Sequence, residues 1–548
     1  MIKKARKYIF VVGGVLSGVG KGITTSSIAK ILQSRGFKVT CAKIDPYINV
    51  DAGTMNPTEH GEVFVLDDGY ETDQDMGNYE RFLDVTLPSI NYITTGRVYQ
   101  SVIDKERALK YKGKCVEVVP HIPLEVIERL EKATRKAGAE ITVVEVGGTV
   151  GEYQNILFLE AARMMKINNP GDVAFVMVGF LPVPSKLGEM KTKPTQYAVR
   201  TLNSAGIQPD IIVARSGYPL DKKRKEKLST FCNVRTEDII SAPDLDSIYD
   251  IPVNFIRDKL DQRLLSTLDL KSRKTNLQDW RTFGRKVKAK KRPVNIAIVG
   301  KYFDSGDFVL SDAYISVIEA LKYSAYAQNR EPVLTWLNSK NFEDDKKVLD
   351  TLKEYDGILV PGGFGSSGVE GKMKVIKYAR ENKIPYLGLC YGMQLAVLEF
   401  ARNVVGLRSA STREIDTKAK HLVIDVMADQ EEALDGDNYG GTMRLGAYPC
   451  VLKRGSIAHQ AYDRNRVKER HRHRYEVNEE YVERLEEAGL IFSGKSPDGS
   501  LMEIMELPLS EHPFFVGTQF HPEFLAHPLN PHPLFTAFIK AAKKRGSK

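Results

Sequence analysis

Cys390 stands in a sequence context that favours nucleophilic chemistry. The stretch IPYLGLCYGMQ places this cysteine inside a G-x-C-x-G pattern, between an apolar strand pattern and an amphipathic helix pattern. A sharp turn at this point exposes the sulfur, and the N-terminus of the following helix favours the thiolate. Far downstream, FHPEF supplies His521 as a base and Glu523 as the acid that orients it. A buried structural thiol is the alternative for Cys390 alone, and the H-P-E segment argues against it.

A glycine-rich segment, VPGGFG (Val360–Gly365), follows another apolar run upstream of the cysteine. Its backbone N–H groups, together with the N–H of Tyr391, are suited to form an oxyanion hole. The loss of one such donor lowers kcat by about 10²–10³-fold. These segments together predict catalysis by a cysteine nucleophile.

The N-terminal stretch GGVLSGVGKGITTSSIAK (Gly13–Lys30) resembles a phosphate-binding loop but departs from G-x-x-x-x-G-K-[ST] in two places. Val15 stands where the first glycine is expected, and Gly22 stands where the Ser or Thr is expected. The stretch follows the apolar run Tyr8–Val12 and opens a helix pattern, so its N–H groups can bind phosphate while Lys21 supplies a point charge. The alternative is a glycine-rich structural turn.

Because the hydroxyl that P-loop enzymes use for Mg²⁺ is missing, another group must hold the ion. Asp75 lies in the acidic segment DDGYETDQDMG, and Glu145 lies near the end of the apolar run ITVVEV, before two glycines. The carboxyl ends of strands are where α/β sheets bind ligands. We therefore expect Asp75 and Glu145 to bind Mg²⁺, with ordinary surface acids as the alternative.

Two further basic stretches are suited to phosphate. KTKPTQ (Lys191–Gln196) combines two lysines with hydroxyl and amide donors, and LDKKRKEKL presents Lys227 on a basic helix face. Each alone is typical of a solvated surface. A second triphosphate near the first would account for both.

The elements that must position these groups alternate between short apolar runs and helix patterns. Such alternation predicts parallel sheets covered by helices on both faces, and 548 residues require at least two domains. We expect an α/β protein with two doubly wound parallel-sheet domains. The predicted boundaries are 1–270 for the first domain, 271–293 for a basic linker and 294–548 for the second domain.

The charge of the chain is concentrated in that linker. Residues 271–292 hold ten Lys or Arg and one Asp, and the remaining chain carries 69 basic and 69 acidic residues. This distribution favours a solvated linker rather than a nucleic-acid surface. Five scattered cysteines without a CxxC pair, and the lack of a signal or membrane-spanning pattern, predict a cytoplasmic location.

In this order, P-G-G, G-x-C-x-G and H-P-E resemble the class I glutamine amidotransferases. With the first half included, the chain is similar over essentially its whole length to the CTP synthase family. The strings that carry this resemblance are KIDPYINVDAGTMNPTEHGEVFVLDDGYETDQDMGNYERF, EVGGTVGE, KTKPTQ, GGTMRLG and ERHRHRYEVN. Similar synthases share the altered phosphate loop.

The resemblance implies a fold of an N-terminal P-loop-like synthetase domain and a C-terminal amidotransferase domain. It implies that ATP phosphorylates O4 of UTP, that ammonia from glutamine hydrolysis at Cys390 then displaces phosphate to give CTP, and that Lys21 stabilises the transferring phosphoryl group. ATP contacts are implied at Gly18, Val19, Gly20, Lys21, Gly22, Ile23, Asp75, Pro243, Asp244 and Leu245. UTP or CTP contacts are implied at Ser17, Glu152, Tyr153, Gln154, Lys191, Thr192, Lys193, Pro194, Thr195, Gln196 and Lys227. Glutamine contacts are implied at Gly363, Tyr391, Gly392, Met393, Gln394, Glu414 and Arg474.

The family further implies GTP as an activator, CTP as a feedback inhibitor and a homotetramer. Three positions depart from its pattern. Glu152-Tyr153-Gln154 replaces D-I-E and loses one acid, which bears on CTP recognition. Ser367 replaces the arginine of GFGxRG, which predicts weaker GTP activation. Tyr391 replaces the usual leucine, and because only its backbone N–H is expected to act, little change is predicted.

The sequence is also compatible with two other functions. An ATP-dependent amidase acting on a carboxylate would use the same two modules but would not need the second phosphate cradle at KTKPTQ and Lys227. A non-catalytic scaffold would not need the intact set of Cys390, His521 and Glu523.

Overall fold

The chain forms two compact units, each containing a β-sheet. The computed structural model describes residues 6–186, 188–301, 311–343, 346–426 and 442–547. The first unit comprises Met1–Asp51 and Asp75–Val287, and the second comprises Ala52–Gln74 and Lys288–Lys548. Among the helices of these ranges, none is long and apolar enough to cross a membrane.

The bounds of the regular elements follow the apolar runs of the sequence. The strands are β1 (Lys7–Gly13), β2 (Val39–Asp45), β3 (Val63–Val65), β4 (Glu71–Asp73), β5 (Tyr92–Thr94), β6 (Ile141–Val146), β7 (Val173–Phe180), β8 (Ile211–Ser216), β9 (Ile239–Pro243), β10 (Pro293–Gly300), β11 (Glu331–Asn338), β12 (Gly357–Val360), β13 (Tyr386–Leu389), β14 (Ala410–Thr412), β15 (His421–Val426), β16 (Arg444–Leu452), β17 (Arg466–His473), β18 (Tyr475–Val477), β19 (Ile491–Lys495), β20 (Met502–Glu506) and β21 (Phe515–Thr518). The α-helices are α1 (Lys21–Ser34), α2 (Pro57–His60), α3 (Gln74–Leu83), α4 (Thr95–Arg107), α5 (Val118–Lys136), α6 (Ile156–Asn168), α7 (Lys193–Ser204), α8 (Lys222–Cys232), α9 (Ile251–Arg257), α10 (Leu260–Thr267), α11 (Gln278–Lys288), α12 (Ile315–Ala327), α13 (Lys346–Asp350), α14 (Val369–Glu381), α15 (Tyr391–Asn403), α16 (Ile457–Tyr462), α17 (Val482–Glu487) and α18 (Pro533–Arg545).

The first unit is built on a seven-stranded sheet in the order β5-β2-β6-β1-β7-β8-β9. Every neighbouring pair in it is parallel. The central strands are buried along most of their length, as expected where helices cover both faces of a parallel sheet. In the register of β1 with β6, Val11 lies opposite Glu145. The loop that follows β1 and the acid of β6 therefore lie at the same edge of the sheet.

The second unit contains a nine-stranded sheet in the order β11-β10-β12-β13-β21-β20-β19-β16-β17. The strands from β11 to β21 are parallel, whereas β20, β19, β16 and β17 continue the sheet with antiparallel pairs. The α/β class is confirmed, but the expectation of a wholly parallel second sheet is corrected. Short connections such as 496–501, between β19 and β20, have no room for the helical crossover that parallel strands require.

Residues 52–74, here called the inserted hairpin, belong to the second unit although they lie within the predicted first domain. Strands β3 and β4 form its antiparallel pair. Phe64 packs edge-to-face on Phe524 at 5.0 Å, and the Arg470 Nε donates to Asp67 Oδ1 at 2.5 Å. These contacts join residues about 400 positions apart, and no local pattern reports them.

Part of the predicted basic linker is a packed helix. Within α11, Trp280 and Phe283 are buried in the first unit, and the Trp280 indole N–H donates to the backbone oxygen of Tyr249 at 2.8 Å. The two aromatic side chains, three residues apart, fall on one face of the helix. The lysines and arginines occupy the other faces, so the charge run covers an amphipathic helix instead of a fully solvated segment.

Candidate functional site

Cys390 occupies a strained turn between β13 and α15. Its φ of 49° and ψ of −101° are unfavourable for a residue with a Cβ. The turn is held by the buried Tyr386 hydroxyl, which donates to the backbone oxygen of Gly392 at 2.9 Å. A side chain at Gly392 would collide with the backbone of Val360. The predicted elbow is therefore present, with the cysteine preceding the first turn of a helix.

His521 and Glu523 form a buried pair beside the cysteine. The His521 Nδ1 lies 2.7 Å from Glu523 Oε1, and the imidazole stacks on Phe524 at 5.1 Å. A Cβ placed on Gly362 would lie 2.8 Å from His521 Cε1 and 3.7 Å from Cys390 Cβ, so the imidazole and the cysteine meet at this glycine. Burial alone lowers the pKa of His521, but the charges of Glu523 and Cys390 outweigh it and raise the pKa to about 10. At neutral pH the imidazole is therefore protonated.

One cavity of about 420 Å³ contains this pair and most of the predicted glutamine contacts. The predicted residues that line it are Gly363, Cys390, Gln394, Glu414, Arg474, His521 and Glu523. The inserted hairpin contributes Gly53, Pro57, Glu62 and Val63 to the same wall. Tyr391 and Met393 have buried side chains, and they and Gly392 are not among the lining residues, so these three positions can offer only backbone groups.

The glycine-rich loop after β12 is held against the elbow. The Tyr391 hydroxyl donates to the backbone oxygen of Gly365 at 2.9 Å, and the Gly365 N–H donates to Glu414 Oε1 at 2.7 Å. Lys301 donates to the backbone oxygen of Phe364. Tyr391, which replaces the usual leucine, thus makes a side-chain contact that was not expected.

Lys372, on α14, is a buried cation behind this loop. Its side chain is 1% exposed, and its Nζ lies 5.2 Å from the centre of the Tyr391 ring. Burial, together with the charge of Lys301, lowers the pKa of Lys372 to about 7, although Glu414 acts in the opposite direction. In the unfolded chain a lysine keeps its proton up to about pH 10.4. Between these values the unfolded chain binds more protons, so the stability of the native state rises with pH.

We expect Lys372→Met to raise the free energy of unfolding by about 2–4 kcal/mol at pH 7, because it removes a buried ammonium. The gain should shrink as the pH approaches 10, where Lys372 is already neutral in the native state. Thermal unfolding at several pH values measures this. Lys374→Met, on the exposed side of the same helix, is the matched control. If Lys372→Met raised the free energy of unfolding by the same amount at every pH, the expectation would be wrong.

The predicted phosphate loop links β1 to α1. Gly18 and Gly20 have φ values of 71° and 92°, which favour glycine. A Cβ at Gly22 would collide with the Asp75 carboxylate, which explains why the usual Ser or Thr is absent there. Burial lowers the pKa of Lys21, opposed in part by Glu145. The loop, Lys21 and the two predicted Mg²⁺ ligands are therefore brought together.

Lys43, near the end of β2, joins those two acids. Its Nζ lies 2.5 Å from Asp75 Oδ2, 2.8 Å from Glu145 Oε1 and 3.6 Å from Asp45 Oδ1. Burial and the charge of Asp75 raise the pKa of Glu145, whereas Lys43 overcomes burial and holds the pKa of Asp75 below its usual value. The Tyr79 hydroxyl donates to the second oxygen of Glu145.

The acids around Lys43 fit a magnesium ion. Two carboxylates converge on one cation, and Mg²⁺ is commonly held by one or two carboxylates together with substrate phosphates. Among the described residues, no group of three or more His, Cys, Asp or Glu side chains could form an all-protein cage. Asp75 and Glu145 would therefore hold the ion only together with the nucleotide.

Removal of the Lys43 ammonium is expected to cost stability. In Lys43→Met, the buried carboxylates of Asp45 and Glu145 and the partly exposed carboxylate of Asp75 lose their shared partner, which lowers the free energy of unfolding by about 3–5 kcal/mol. Addition of Mg²⁺ should restore part of this loss by binding the same acids. Thermal unfolding with and without MgCl₂ measures both effects. Lys7→Met, which breaks a more exposed pair with Asp172, should cost less than about 1 kcal/mol and show no Mg²⁺ effect.

Apart from Lys227, the remaining predicted nucleotide contacts follow the carboxyl ends of strands in the first sheet. Gly20, Ile23, Pro243 and Leu245 line one crevice, and Asp244 forms an ion pair with Arg215 at 2.8 Å. Ser17 lies within the loop between β1 and α1. After β6, the Gln154 amide donates to Glu152 at 2.7 Å, and Tyr153 is 95% exposed. Lys191 pairs with Glu189, and residues 193–196 open α7. Lys227 is exposed on α8, and in the described residues no side-chain hydrogen bond or ion pair joins it to the others.

Several residues of these sites were not singled out from the sequence. Lys43 had a signal, because a lysine followed two residues later by an aspartate is unusual within a buried strand. Lys372 had none, since its helix reads as an ordinary amphipathic segment. Arg472 of β17, whose Nε donates to Glu71 Oε1 at 2.8 Å, could not be assigned without the position of the inserted hairpin.

Comparisons with known proteins match both halves of the chain. The family "Glutamine amidotransferase class-I" matches residues 309–541, and "CTP synthase N-terminus" matches residues 7–270. A CTP synthase of Caldanaerobacter subterraneus is 50% identical over 536 residues, covering 98% of each chain. One from Thermococcus gammatolerans is 50% identical over 541 residues, covering 98% of this chain and 99% of its own. The glutaminase domain of Trypanosoma brucei CTPS with bound acivicin is 38% identical, with a TM-score of 0.42, and covers 46% of this chain and 94% of its own.

The two family models define the class, a glutamine amidotransferase joined to a nucleotide-dependent synthetase. The chain belongs to the CTP synthase family. It is a ligase that aminates UTP to CTP, with ATP and glutamine as co-substrates.

Proposed function

We propose that Cys390 hydrolyses glutamine in the 420 Å³ cavity and that the loop of Gly18–Ile23 holds the ATP that activates UTP. The assignment of glutamine hydrolysis rests on one observation: Cys390, in a strained turn, lies beside the buried His521–Glu523 pair in one cavity. The assignment of ATP to the first unit is supported by the glycine loop, Lys21 and the acids Asp75 and Glu145, which lie at one edge of its sheet.

In the glutaminase reaction the Cys390 thiolate attacks the side-chain carbonyl carbon of glutamine. The N–H groups of Tyr391 and of residues 362–364 stabilise the oxyanion. Protonated His521 gives its proton to the leaving nitrogen, so that the C–N bond breaks and ammonia departs. The neutral imidazole, oriented by Glu523, then takes a proton from the water that cleaves the thioester. Glu414 and Arg474 would bind the charged groups of the amino acid.

In the synthetase reaction, O4 of UTP attacks the γ-phosphorus of ATP, so that a bond from O4 to phosphorus forms and ADP leaves. Ammonia then attacks C4, and the bond to O4 breaks with release of phosphate. Lys21 stabilises the charge on the transferring phosphoryl group. Mg²⁺, held by Asp75 and Glu145 with the phosphates, would neutralise phosphate charge. The rest of ATP would bind in the crevice lined by Gly20, Ile23, Pro243 and Leu245.

The pyrimidine nucleotide is assigned to Ser17, Lys191–Gln196 and Lys227, with residues 152–154 as the contacts that bear on CTP. Activation by GTP, inhibition by CTP, a homotetramer and a cytoplasmic location complete the proposal as predictions from the family and the composition. The Gln154 amide donates to Glu152 Oε2 at 2.7 Å, which occupies one oxygen of the only carboxylate left in this segment. We expect CTP inhibition to be weaker than in relatives with two acids.

The test follows CTP formation by the wild-type protein from UTP, ATP and Mg²⁺, with either glutamine or ammonium as the nitrogen source. Both sources should yield CTP. Glutamine hydrolysis without CTP from either source would refute UTP as the acceptor and favour an amidase that activates a carboxylate. The absence of glutamine hydrolysis, with CTP still formed from ammonium, would refute the glutaminase assignment alone.

A further inference from the structure

Gln519 is a fully buried amide beside the nucleophile, and it belongs to neither the catalytic pair nor the glutamine contacts assigned above. It follows β21 and precedes His521 by two residues. Its side chain is 0% exposed, and its Nε2 lies 3.7 Å from Cys390 Sγ. Its backbone N–H donates to the backbone oxygen of Glu503 at 2.8 Å, which fixes the residue against β20.

The orientation of the Gln519 side-chain amide follows from a chain of hydrogen bonds that passes through Gln394 and ends at a backbone carbonyl oxygen. Gln394 Nε2 lies 2.9 Å from the backbone oxygen of Tyr475, which can only accept, so this end of Gln394 must be its NH₂ group. The same nitrogen lies 3.2 Å from Gln519 Oε1. That atom therefore accepts, and the NH₂ end of Gln519 must face the sulfur.

Two further groups near the sulfur act on its protonation state. Cys390 Sγ lies 3.8 Å from the backbone oxygen of Arg472, which can accept only from a protonated thiol. Protonated His521 favours the thiolate through its charge. An N–H donor also favours the thiolate, because hydrogen bonds to an ionised acceptor are the stronger ones. The donor that Gln519 supplies therefore adds to the effect of His521 and opposes that of the Arg472 carbonyl.

We propose that Gln519 is a further catalytic residue, whose side-chain N–H binds the Cys390 thiolate and keeps the sulfur ionised before glutamine enters. The inference rests on the proposed function, in which Cys390 is the nucleophile. Gln394 acts as a positioning residue, because it prevents the Gln519 amide from turning its oxygen toward the sulfur. With its nitrogen used in this way, Gln394 can offer only its carbonyl oxygen to the substrate.

The test measures the pH dependence of alkylation of Cys390 by iodoacetamide, which requires no glutamine. Cys115→Ser serves as the background, since Cys115 is exposed and the other three cysteines are buried. In that background, Gln519→Glu replaces the donor with an acceptor, and Gln519→Met fills the space without a donor. In both Gln519 variants we expect the midpoint pH of alkylation to rise by about one unit or more. At a pH below the midpoints of variant and background, this corresponds to about a tenfold loss of thiolate. Thr518→Val, which removes a hydroxyl bonded to the Phe520 backbone oxygen at 3.0 Å, should leave the midpoint unchanged.

Thermal unfolding reports that each variant is folded. An unchanged midpoint in a Gln519→Met protein that unfolds cooperatively near the wild-type temperature overturns the proposal. If neither Gln519 variant folds, Gln394→Met decides, because it keeps Gln519 but frees its amide: a raised midpoint supports the proposal and an unchanged one overturns it. A wild-type protein that cannot use glutamine would refute the proposed function, while the comparison of midpoints would still decide the role of Gln519.

Discussion

Cys390→Ala is expected to form no CTP from glutamine while it forms CTP from ammonium at the wild-type rate. The substitution removes the sulfur that attacks the amide but leaves the turn between β13 and α15 in place, since alanine is smaller than cysteine. Loss of a nucleophile lowers turnover by on the order of 10⁴-fold or more. Parallel assays of CTP formation with the two nitrogen sources give the result directly.

Cys450→Ala is the matched control for that experiment. Cys450 is a buried thiol of β16 in the same unit, and it lies outside the cavity. This variant should use both nitrogen sources. Loss of glutamine use in the control as well would attribute the effect of Cys390→Ala to general damage of the second unit. Retained glutamine use in Cys390→Ala would remove the assignment of the nucleophile.

Lys21→Ala is expected to form no CTP from either nitrogen source while glutamine hydrolysis continues. Lys21 is the loop cation assigned to the transferring phosphoryl group. Burial lowers its pKa, and the charged groups that act on it are Glu145, Lys43, Asp75 and Asp45. Without its charge, the negative charge that develops on the phosphoryl oxygens has one stabilising group fewer. Loss of a residue that acts mainly in the transition state should reduce kcat by about 10³-fold or more.

Lys30→Ala, on the same helix, separates this effect from damage to α1. Lys30 lies over the Trp280 ring at 5.2 Å and donates to Gln33, away from the loop. It should keep CTP formation within a small factor of the wild type. CTP formation by Lys21→Ala at a rate close to wild type would disprove the role of the loop in phosphoryl transfer, whichever nitrogen source is used.

The parts of the sites that could be predicted from the sequence are those that local order determines. A strand, a turn and a helix succeed one another around Cys390, and the same holds for the loop that ends at Lys21. In both places a short motif determines the local backbone geometry, so the sequence predicts both the functional residue and the turn that holds it. The α/β class is confirmed for the same reason, because apolar runs and helix patterns alternate along the chain.

The parts that were missed depend on pairings between distant residues. The antiparallel extension of the second sheet, the inserted hairpin and Lys43 all require knowledge of which strands are neighbours. Gln519 illustrates the limit, since its amide gains a direction only through Gln394 and a carbonyl at Tyr475. A sequence pattern contains the residues of such a chain of hydrogen bonds but not the order in which they are joined.

The inserted hairpin also determines the order in which the chain can assemble during translation. Asp67 is made 403 residues before its partner Arg470, and Glu71 is made 401 residues before Arg472. At roughly 5–20 residues per second, the hairpin waits about 20–80 s on the ribosome for these arginines. All strands of the first sheet are complete by Pro243, so that sheet can form with residues 52–74 looped out. The inserted hairpin, which forms one wall of the glutamine cavity, is thus the first part of the second unit to be synthesised. It can form its ion pairs only after β17 has been made.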